Sequence, residues 1–443
     1  KHVKEIIPEN IKNYLKKTIF VFKNQKILET KLDKQIILNK NLEKQINELP
    51  SLLGLINFKL DKNVINFKFS NKNFELKKFK TKSLNISKNK SAKGTSYLEI
   101  FKDKLILVNA NGIFSFIEKK DLDKDAFNSK IINTNIKEII KYEEFFLNTR
   151  FGVKDVLIDN TNIYISFSNQ TKNSCYNTSI IFAKMNLDYL EFKNFFTPNQ
   201  CIKSENEYGE FSAFHAGGRM INNGNDIIFS NGEYRFRTHA QNPKNIFGKI
   251  LKINKKTRDT KILAMGIRNT QGLSYDNKND LLFMSEHGPK GGDEINIKKN
   301  LYSDIVNFGW PISSYGEHYP HNTEKRTKSI YKFAPLYKSH AQYGFEEPII
   351  YYKNAIGPSE IIFLEKKFLP NENFINLLFG SMGNDPKNEG QMSLHFLSLN
   401  KKNQIKQNEV FSINERVRDL IYDKENNQVI LFLETTSSIG VLR

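Results

Sequence analysis

From about residue 95 onward the chain repeats one pattern: a short run alternating apolar and polar residues, a turn rich in Asp, Asn, Lys or Gly, and a second apolar run. Alternation with period two, broken by such turns, predicts paired strands. The copies are SYLEIFKDKLILVNANG from Ser96, DVLIDNTNIYISFSN from Asp155 and GRMINNGNDIIFSNG from Gly218. They continue with GLSYDNKNDLLFMSEHG from Gly272, SEIIFLEKKF followed by NLLFGSM from Ser359, and DLIYDKENNQVILFLET from Asp419. A single hairpin cannot bury both of its faces, so similar hairpins at intervals predict a repeat fold. Four-stranded units of this length set radially make a β-propeller. The expected fold is all-β: a six-bladed β-propeller over 95–443 with an N-terminal helical extension. A sandwich or a two-domain β protein is the alternative, and neither accounts for six alike hairpins. The stretch 296–358 reads as long loops on one face.

The first part of the chain differs. Leu28, Leu32, Gln35, Leu42, Ile46 and Leu49 fall near helical spacing, and no glycine occurs before Gly54. Residues 1–50 therefore read as one or two amphipathic helices, either packed on the main domain or forming a short coiled coil or stalk. Residues 51–94 are Lys-rich and alternate, as in NVINFKFS. They read as a basic, strand-rich connecting segment that the propeller can incorporate.

Composition narrows the class. With 39% hydrophobic and 26% charged residues in 443, the chain is neither wholly disordered nor a polytopic membrane protein. No apolar run of ~20 residues offers a membrane span. The chain opens on Lys1, so an excised signal peptide or a preceding membrane anchor is compatible with it. The net charge of +19 would attract nucleic acid or an anionic surface. The crowding of Lys, Asn, Ile and Phe is equally what AT-rich codons produce, and no nucleic-acid partner is expected. Cys175 and Cys201 are the two cysteines. Without a CxxC or Cys/His cluster a zinc site is not expected. Their polar surroundings, SCYN and NQCIKS, favour a disulfide and hence an oxidising compartment.

Three stretches carry candidate chemistry. In FHAGGRM, His215 precedes two glycines and a strand, where a histidine projects from a loop end and suits a general base; a plain turn histidine is the other reading. GIRNTQGLSYD places Arg268 and Asn269 before one hairpin, and SEHGPKGGDEINI follows it. The turn through Gly288, Pro289, Gly291 and Gly292 exposes backbone carbonyls, hard ligands suited to Ca²⁺, and Asp293 and Glu294 add carboxylates. NFGWP holds the single tryptophan, Trp310, which by itself reads as core. In ERVRDL, Arg416 and Arg418 lie two apart on a strand, on one face, and suit an anionic ligand.

HAGGRM, GIRNTQGLSYD, SEHGPKGGDEIN, NFGWPISSYGEHY and ERVRD, in this order and spacing, resemble the soluble glucose/sorbosone (aldose sugar) dehydrogenase family, quinoproteins that use pyrroloquinoline quinone (PQQ). The resemblance covers about residues 140–443. It implies a six-bladed propeller that binds PQQ and Ca²⁺ and oxidises an aldose C1 hydroxyl to a lactone in the periplasm. His215 would be the general base. Arg268, Asn269, Arg416, Arg418 and Gln241 fall on cofactor positions. The carbonyls of Gly288 and Pro289 fall on the ligands of the PQQ-bound Ca²⁺. Glu294 and the Phe308 carbonyl fall near a second, structural calcium. The implied partners are a sugar and an external electron acceptor.

The chain also departs from the family. Arg150 stands where a glutamine is expected, Met382-Gly383 where a lysine is expected, and Glu360 where a small residue is expected; GHRNPQG has become GIRNTQG. Arg150 is the candidate to restore the missing cationic charge. These changes keep open a noncatalytic or repurposed propeller binding a glycan, a small ligand or a protein partner.

Overall fold

The computed structural model describes residues 55–70, 72–85, 93–172, 174–207, 209–319, 332–370 and 374–443, with isolated positions 13, 28, 29, 32 and 35 before them. The chain divides into two units, Lys1–Leu55 and Ile56–Arg443. The five isolated positions are helical and exposed, and the remainder of the helical reading of 1–50 lies outside the described residues.

The second unit is a ring of blades. The first blade runs Ser96–Phe101, Lys104–Asn109, Phe114–Glu118 and Ala126–Thr134. The second is Val153–Ile158, Asn162–Lys172, Cys175–Lys184 and Lys193–Phe196. The third is Gly217–Asn223, Asp226–Asn231, Lys249–Asn254 and Thr260–Met265. The fourth is Thr270–Asp276, Leu281–Glu286, Asp293–Lys299 and Ile350–Tyr352. The fifth is Pro358–Phe363, Ile375–Ser381, Ser393–Leu399 and Ile405–Ser412. The sixth takes Val417–Asp423, Gln428–Leu433 and Ser438–Leu442 from the end of the chain and Lys72–Lys80 from near its start. The first strand of each blade packs on the first strands of both neighbours, and this contact runs full circle. Each hairpin expected from the sequence is the inner strand pair of one blade.

The ring closes by antiparallel pairing of Ser438 with Lys80 through Leu442 with Leu76. Along KNFELKKFK, Phe74 and Leu76 are buried toward blade five and Phe79 is buried toward blade one. Leu55–Leu60 pairs with that strand and lies beside Ala126–Thr134, joining the sixth and first blades at their outer edges.

Period two explains the packing between blades. Successive side chains of a strand face opposite neighbours, so Phe229 packs toward blade two while Ile228 packs toward blade four. In the same way Leu282 faces blade three and Leu281 faces blade five. A buried apolar cluster fills each of the six interfaces between neighbouring blades. Each large apolar side chain so buried contributes about 1.5–3 kcal/mol.

Cys175 and Cys201 form a disulfide with an S–S distance of 2.02 Å. It ties the start of Cys175–Lys184 to the short strand Ile202–Lys203 paired with it. Closing a 26-residue separation, the bond is expected to contribute about 3 kcal/mol. Urea unfolding of Cys201→Ser against the oxidised protein measures this, and two maleimide-reactive thiols in the native, unreduced protein would contradict the bond. Among the described residues no helix is long and apolar enough to cross a membrane.

In blades two to six the inner strand pair shifts register at the same place, just after Val153, Gly217, Thr270, Pro358 and Val417. Such bulges bend a strand and re-aim side chains. The residues skipped by the pairing are Lys154, Gly218-Arg219, Gln271, Ser359-Glu360 and Arg418. Gly218 has φ +109°, and a Cβ there would lie 2.3 Å from the Lys154 Cβ, so only glycine fits.

One guanidinium joins all six blades at the axis. Arg219 reaches Asp155 at 3.0 Å, Glu360 at 2.9 Å and Asp419 at 2.7 Å. It also donates to the Gln271 carbonyl at 2.6 Å and lies 5.2 Å from the Tyr97 ring centroid. Burial by itself would lower its pKa, but Glu360, Asp419 and Asp155 hold it well above the ordinary arginine value. Glu360, which departs from the family pattern, is thus one of the partners of Arg219.

Candidate active site

The loops that enter the inner strands hold most of the candidate residues. His215 ends the short turn Ala213–His215 and is 8% exposed. Its Nδ1 lies 2.9 Å from Oε1 of the fully buried Glu233. A carboxylate at Nδ1 holds the ring proton there and leaves the Nε2 lone pair free to accept one. Burial first, then the charges of Arg268, Arg235, Arg237 and Arg150, push the imidazole well below its ordinary pKa. His215 is therefore neutral at neutral pH, the form a general base requires.

Arg268 and Asn269 are locked by Glu286, whose carboxylate accepts from both backbone N–H groups and from Thr270 Oγ1. The Arg268 guanidinium donates to the His287 carbonyl at 2.9 Å and lies 5.3 Å from the Trp310 ring centroid. Asn269 Oδ1 accepts from Gly217 N at 3.1 Å, tying its loop to the one that carries His215.

Arg416 and Arg418 share one partner. Glu434 accepts from Arg416 Nε at 3.1 Å, from Arg418 Nε at 2.6 Å and from Thr95 Oγ1 at 2.7 Å. Burial would raise this carboxyl, but the two arginines pull it down to about 2. Arg416 also donates to the Met382 carbonyl and to Asn384 Oδ1. Arg418 reaches Gln271 Oε1 at 3.4 Å.

Arg150 lies close to the rings of Phe151, Phe211 and Phe214 and donates to the Phe211 carbonyl at 2.8 Å. A second cation sits nearer Arg418: Lys154, buried at its bulge, donates to the Arg150 carbonyl at 2.8 Å. Burial, followed by Arg418 and Arg150, drops its pKa to about 7. Gln241 has a different neighbourhood from the other cofactor candidates. Its amide exchanges hydrogen bonds with Asn307 at 3.1 and 2.8 Å and donates to the Trp310 carbonyl at 2.7 Å, bracing the turn that carries Trp310.

The carbonyl-rich turn is sharply folded. Gly291 and Gly292 have φ +76° and +67°. Asp293 Oδ1 accepts from Gly288 N at 2.8 Å, while its Oδ2 accepts from Ile356 N and Gly357 N. The Pro289 carbonyl accepts from Tyr319 Oη at 3.3 Å. The other expected metal pair behaves differently: Glu294 and the Phe308 carbonyl both contact one side chain, His340.

Sequence reasoning did not single out Glu233, Glu434, Lys154 or Arg219. Glu434 had a legible signal, an acid at the end of the apolar run VILFL. Arg219 stands inside HAGGRM itself. Glu233 and Lys154 have no local signature, because what defines them is a partner on another element.

The assembled site places a neutral, carboxylate-oriented imidazole beside the buried Arg268 and the half-buried Arg235, Arg237 and Arg150. Chemically, such an arrangement is able to take up a proton at the free ring nitrogen.

The family profile described as Glucose / Sorbosone dehydrogenase matches residues 128–442. The aldose sugar dehydrogenase YliI of Escherichia coli (strain K12) is 30% identical over 170 residues, 35% of this chain and 42% of that protein. The chain spans about half the length of the curated relatives it matches. Among solved structures, the soluble aldose sugar dehydrogenase of Escherichia coli in its apo-form superposes with a TM-score of 0.59 at 18% identity, covering 80% of this chain and 96% of that one. The holo form of the pyranose dehydrogenase PQQ domain from Coprinopsis cinerea gives 0.52 at 10% identity, covering 80% and 94%. At those identities the structures speak for the fold. The profile, spanning most of the propeller, settles kinship: this chain belongs to the Glucose / Sorbosone dehydrogenase family.

Proposed function

We propose that the protein oxidises the C1 hydroxyl of an aldose to the lactone, with PQQ and Ca²⁺ as cofactors. The observation that carries this reading is the neutral His215, oriented by Glu233, at a site crowded by Arg268, Arg235, Arg237 and Arg150. Glu233 and Glu210, the latter paired with Arg237 at 2.9 Å, balance part of this positive charge, and an anionic ligand would balance the rest. PQQ carries carboxylates, and this donor set fits it. Arg268, Arg416, Arg418 and Lys154 are the residues that would hold those carboxylates. The carbonyls of Gly288 and Pro289 would hold the Ca²⁺, as hard oxygen ligands on a fixed turn.

PQQ, when bound, supplies the quinone that accepts the hydride from C1. The chain supplies the rest. His215 Nε2 takes the hydroxyl proton as the hydride leaves. Glu233 keeps the imidazole in the right tautomer and stabilises it once protonated. Phe214, 59% exposed beside His215, offers an apolar face to a sugar ring. The electron acceptor is external. The Cys175–Cys201 disulfide supports a location outside the cytoplasm, in the periplasm.

The test is titration of the apoprotein with PQQ and Ca²⁺, followed by an aldose panel with a dye acceptor. Stoichiometric binding with dye reduction is expected; no binding at micromolar PQQ sinks the reading. Lys154→Met is expected to weaken PQQ binding roughly tenfold to a hundredfold, the loss of one charge-assisted hydrogen bond. The pH profile is a further check. Because the His215 pKa is depressed, the unprotonated base persists as pH falls. At saturating cofactor, kcat should stay level through about pH 6.5, the ordinary imidazole value, and fall only in more acidic buffer. A half-maximal rate near 6.5 would count against it.

A second reading is a channel that binds a ligand without oxidising it. It is favoured by the engagement of Arg416 with the Met382 carbonyl and Asn384. It predicts no PQQ binding in the same titration.

A further inference from the structure

The second calcium expected from the family needs Glu294 and the Phe308 carbonyl as ligands. In this chain both already face one imidazole. His340 Nε2 lies 3.2 Å from Glu294 Oε1, and its Nδ1 lies 2.9 Å from the Phe308 carbonyl and 2.9 Å from Ser313 Oγ. All three partner residues, and His340 itself, are buried. Calcium requires six to eight oxygens at about 2.3–2.6 Å, and here the space between the two key oxygens is filled by a ring.

His340 is not there by accident of a rotamer. Its backbone N–H donates to Glu347 Oε1 at 2.9 Å, as does that of Ala341 at 2.8 Å. Tyr315 Oη donates to Glu347 Oε2 at 2.8 Å, and its ring packs 5.3 Å from the imidazole. The carboxylate of Glu347 thus fixes both the backbone of His340 and the ring beside it.

We infer that His340 replaces the second calcium of the family, its imidazole tying Glu294 on the fourth blade to the Phe308 carbonyl, so that this buried site takes a side chain in place of a divalent cation. The gain is a loop anchored without metal. Glu294 belongs to the strand Asp293–Lys299, Phe308 to the turn carrying Trp310, and His340 to the far side of the long insertion. The inference stands whether or not the chain oxidises sugars, since it concerns what holds this insertion.

Terbium, a luminescent stand-in for Ca²⁺, tests it on the apoprotein. Trp310 is the single tryptophan of the chain and lines the same small cavity as Glu294 and His340, so it sensitises any terbium bound there. The expected result is that wild-type protein shows no tryptophan-sensitised emission dependent on Glu294: either none, or emission that Glu294→Gln leaves unchanged. Stoichiometric emission that Glu294→Gln abolishes would overturn the inference. A second arm uses His340→Ala. Emptying the ring should let millimolar Ca²⁺ raise the unfolding temperature of the variant beyond any shift it gives wild type. If wild type is the one stabilised, and Glu294→Gln loses that shift, the inference fails; the terbium readout on wild type stands even if His340→Ala does not fold.

Discussion

His215→Ala is expected to lower turnover by about 10²–10⁴-fold, the usual contribution of a positioned general base. PQQ affinity should be unchanged, because Arg268, Arg416, Arg418 and Lys154, and not His215, would hold the cofactor's carboxylates. Glu233→Gln should fall between: the amide still meets Nδ1, but it cannot stabilise the imidazolium that forms. Steady-state rates with a dye acceptor, paired with a PQQ titration for each variant, separate the two effects. Equal loss of binding and turnover in His215→Ala would assign the histidine to holding the cofactor. Full activity would remove it from the chemistry.

The second large effect concerns the axis. Arg219→Met leaves the buried Asp155 and Asp419 and the half-buried Glu360 without the cation that all three contact. Removing one partner from a buried ionic network costs about 3–5 kcal/mol. Urea unfolding should therefore shift by at least that range, with loss of contacts to every blade at once. Neutralising the acids together, as Asp155→Asn, Glu360→Gln and Asp419→Asn in the Arg219→Met background, should restore much of the loss. An unchanged midpoint in Arg219→Met would mean that the ring holds by its apolar interfaces alone.

The inner hairpins were legible because their pattern is local: two apolar runs and a turn with period two, repeated. The closing strand Lys72–Lys80 was not, since KNFELKKFK shows its alternation but nothing in it names Ser438–Leu442 as its partner. The disulfide could be anticipated from two cysteines in polar surroundings. Among the site candidates, His215 and Arg268 stood out as residue types in distinctive turns. Glu233 and Glu434 did not, because they are defined by the side chains they orient across the fold. Gln241 shows the opposite limit. Its position in a familiar motif pointed to a cofactor, while its amide is engaged by Asn307 and Trp310. Glu360 looked like a carboxylate intruding on an anion site, and the structure gives it to Arg219 instead.

The pairing of Lys72–Lys80 with Ser438–Leu442 also fixes an order of events on the ribosome. The early strand is made hundreds of residues before its partner, so the nascent ring stays open until Ser438–Leu442 has been made. Meanwhile the strand presents an unpaired edge to every neighbouring polysome. Its lysines, at 72, 77, 78 and 80, make that edge self-repelling, the usual protection against edge-to-edge association. A fragment beginning at the profile boundary, residue 128, would lack both this strand and the first three strands of the first blade, and would expose the sixth blade at its open side.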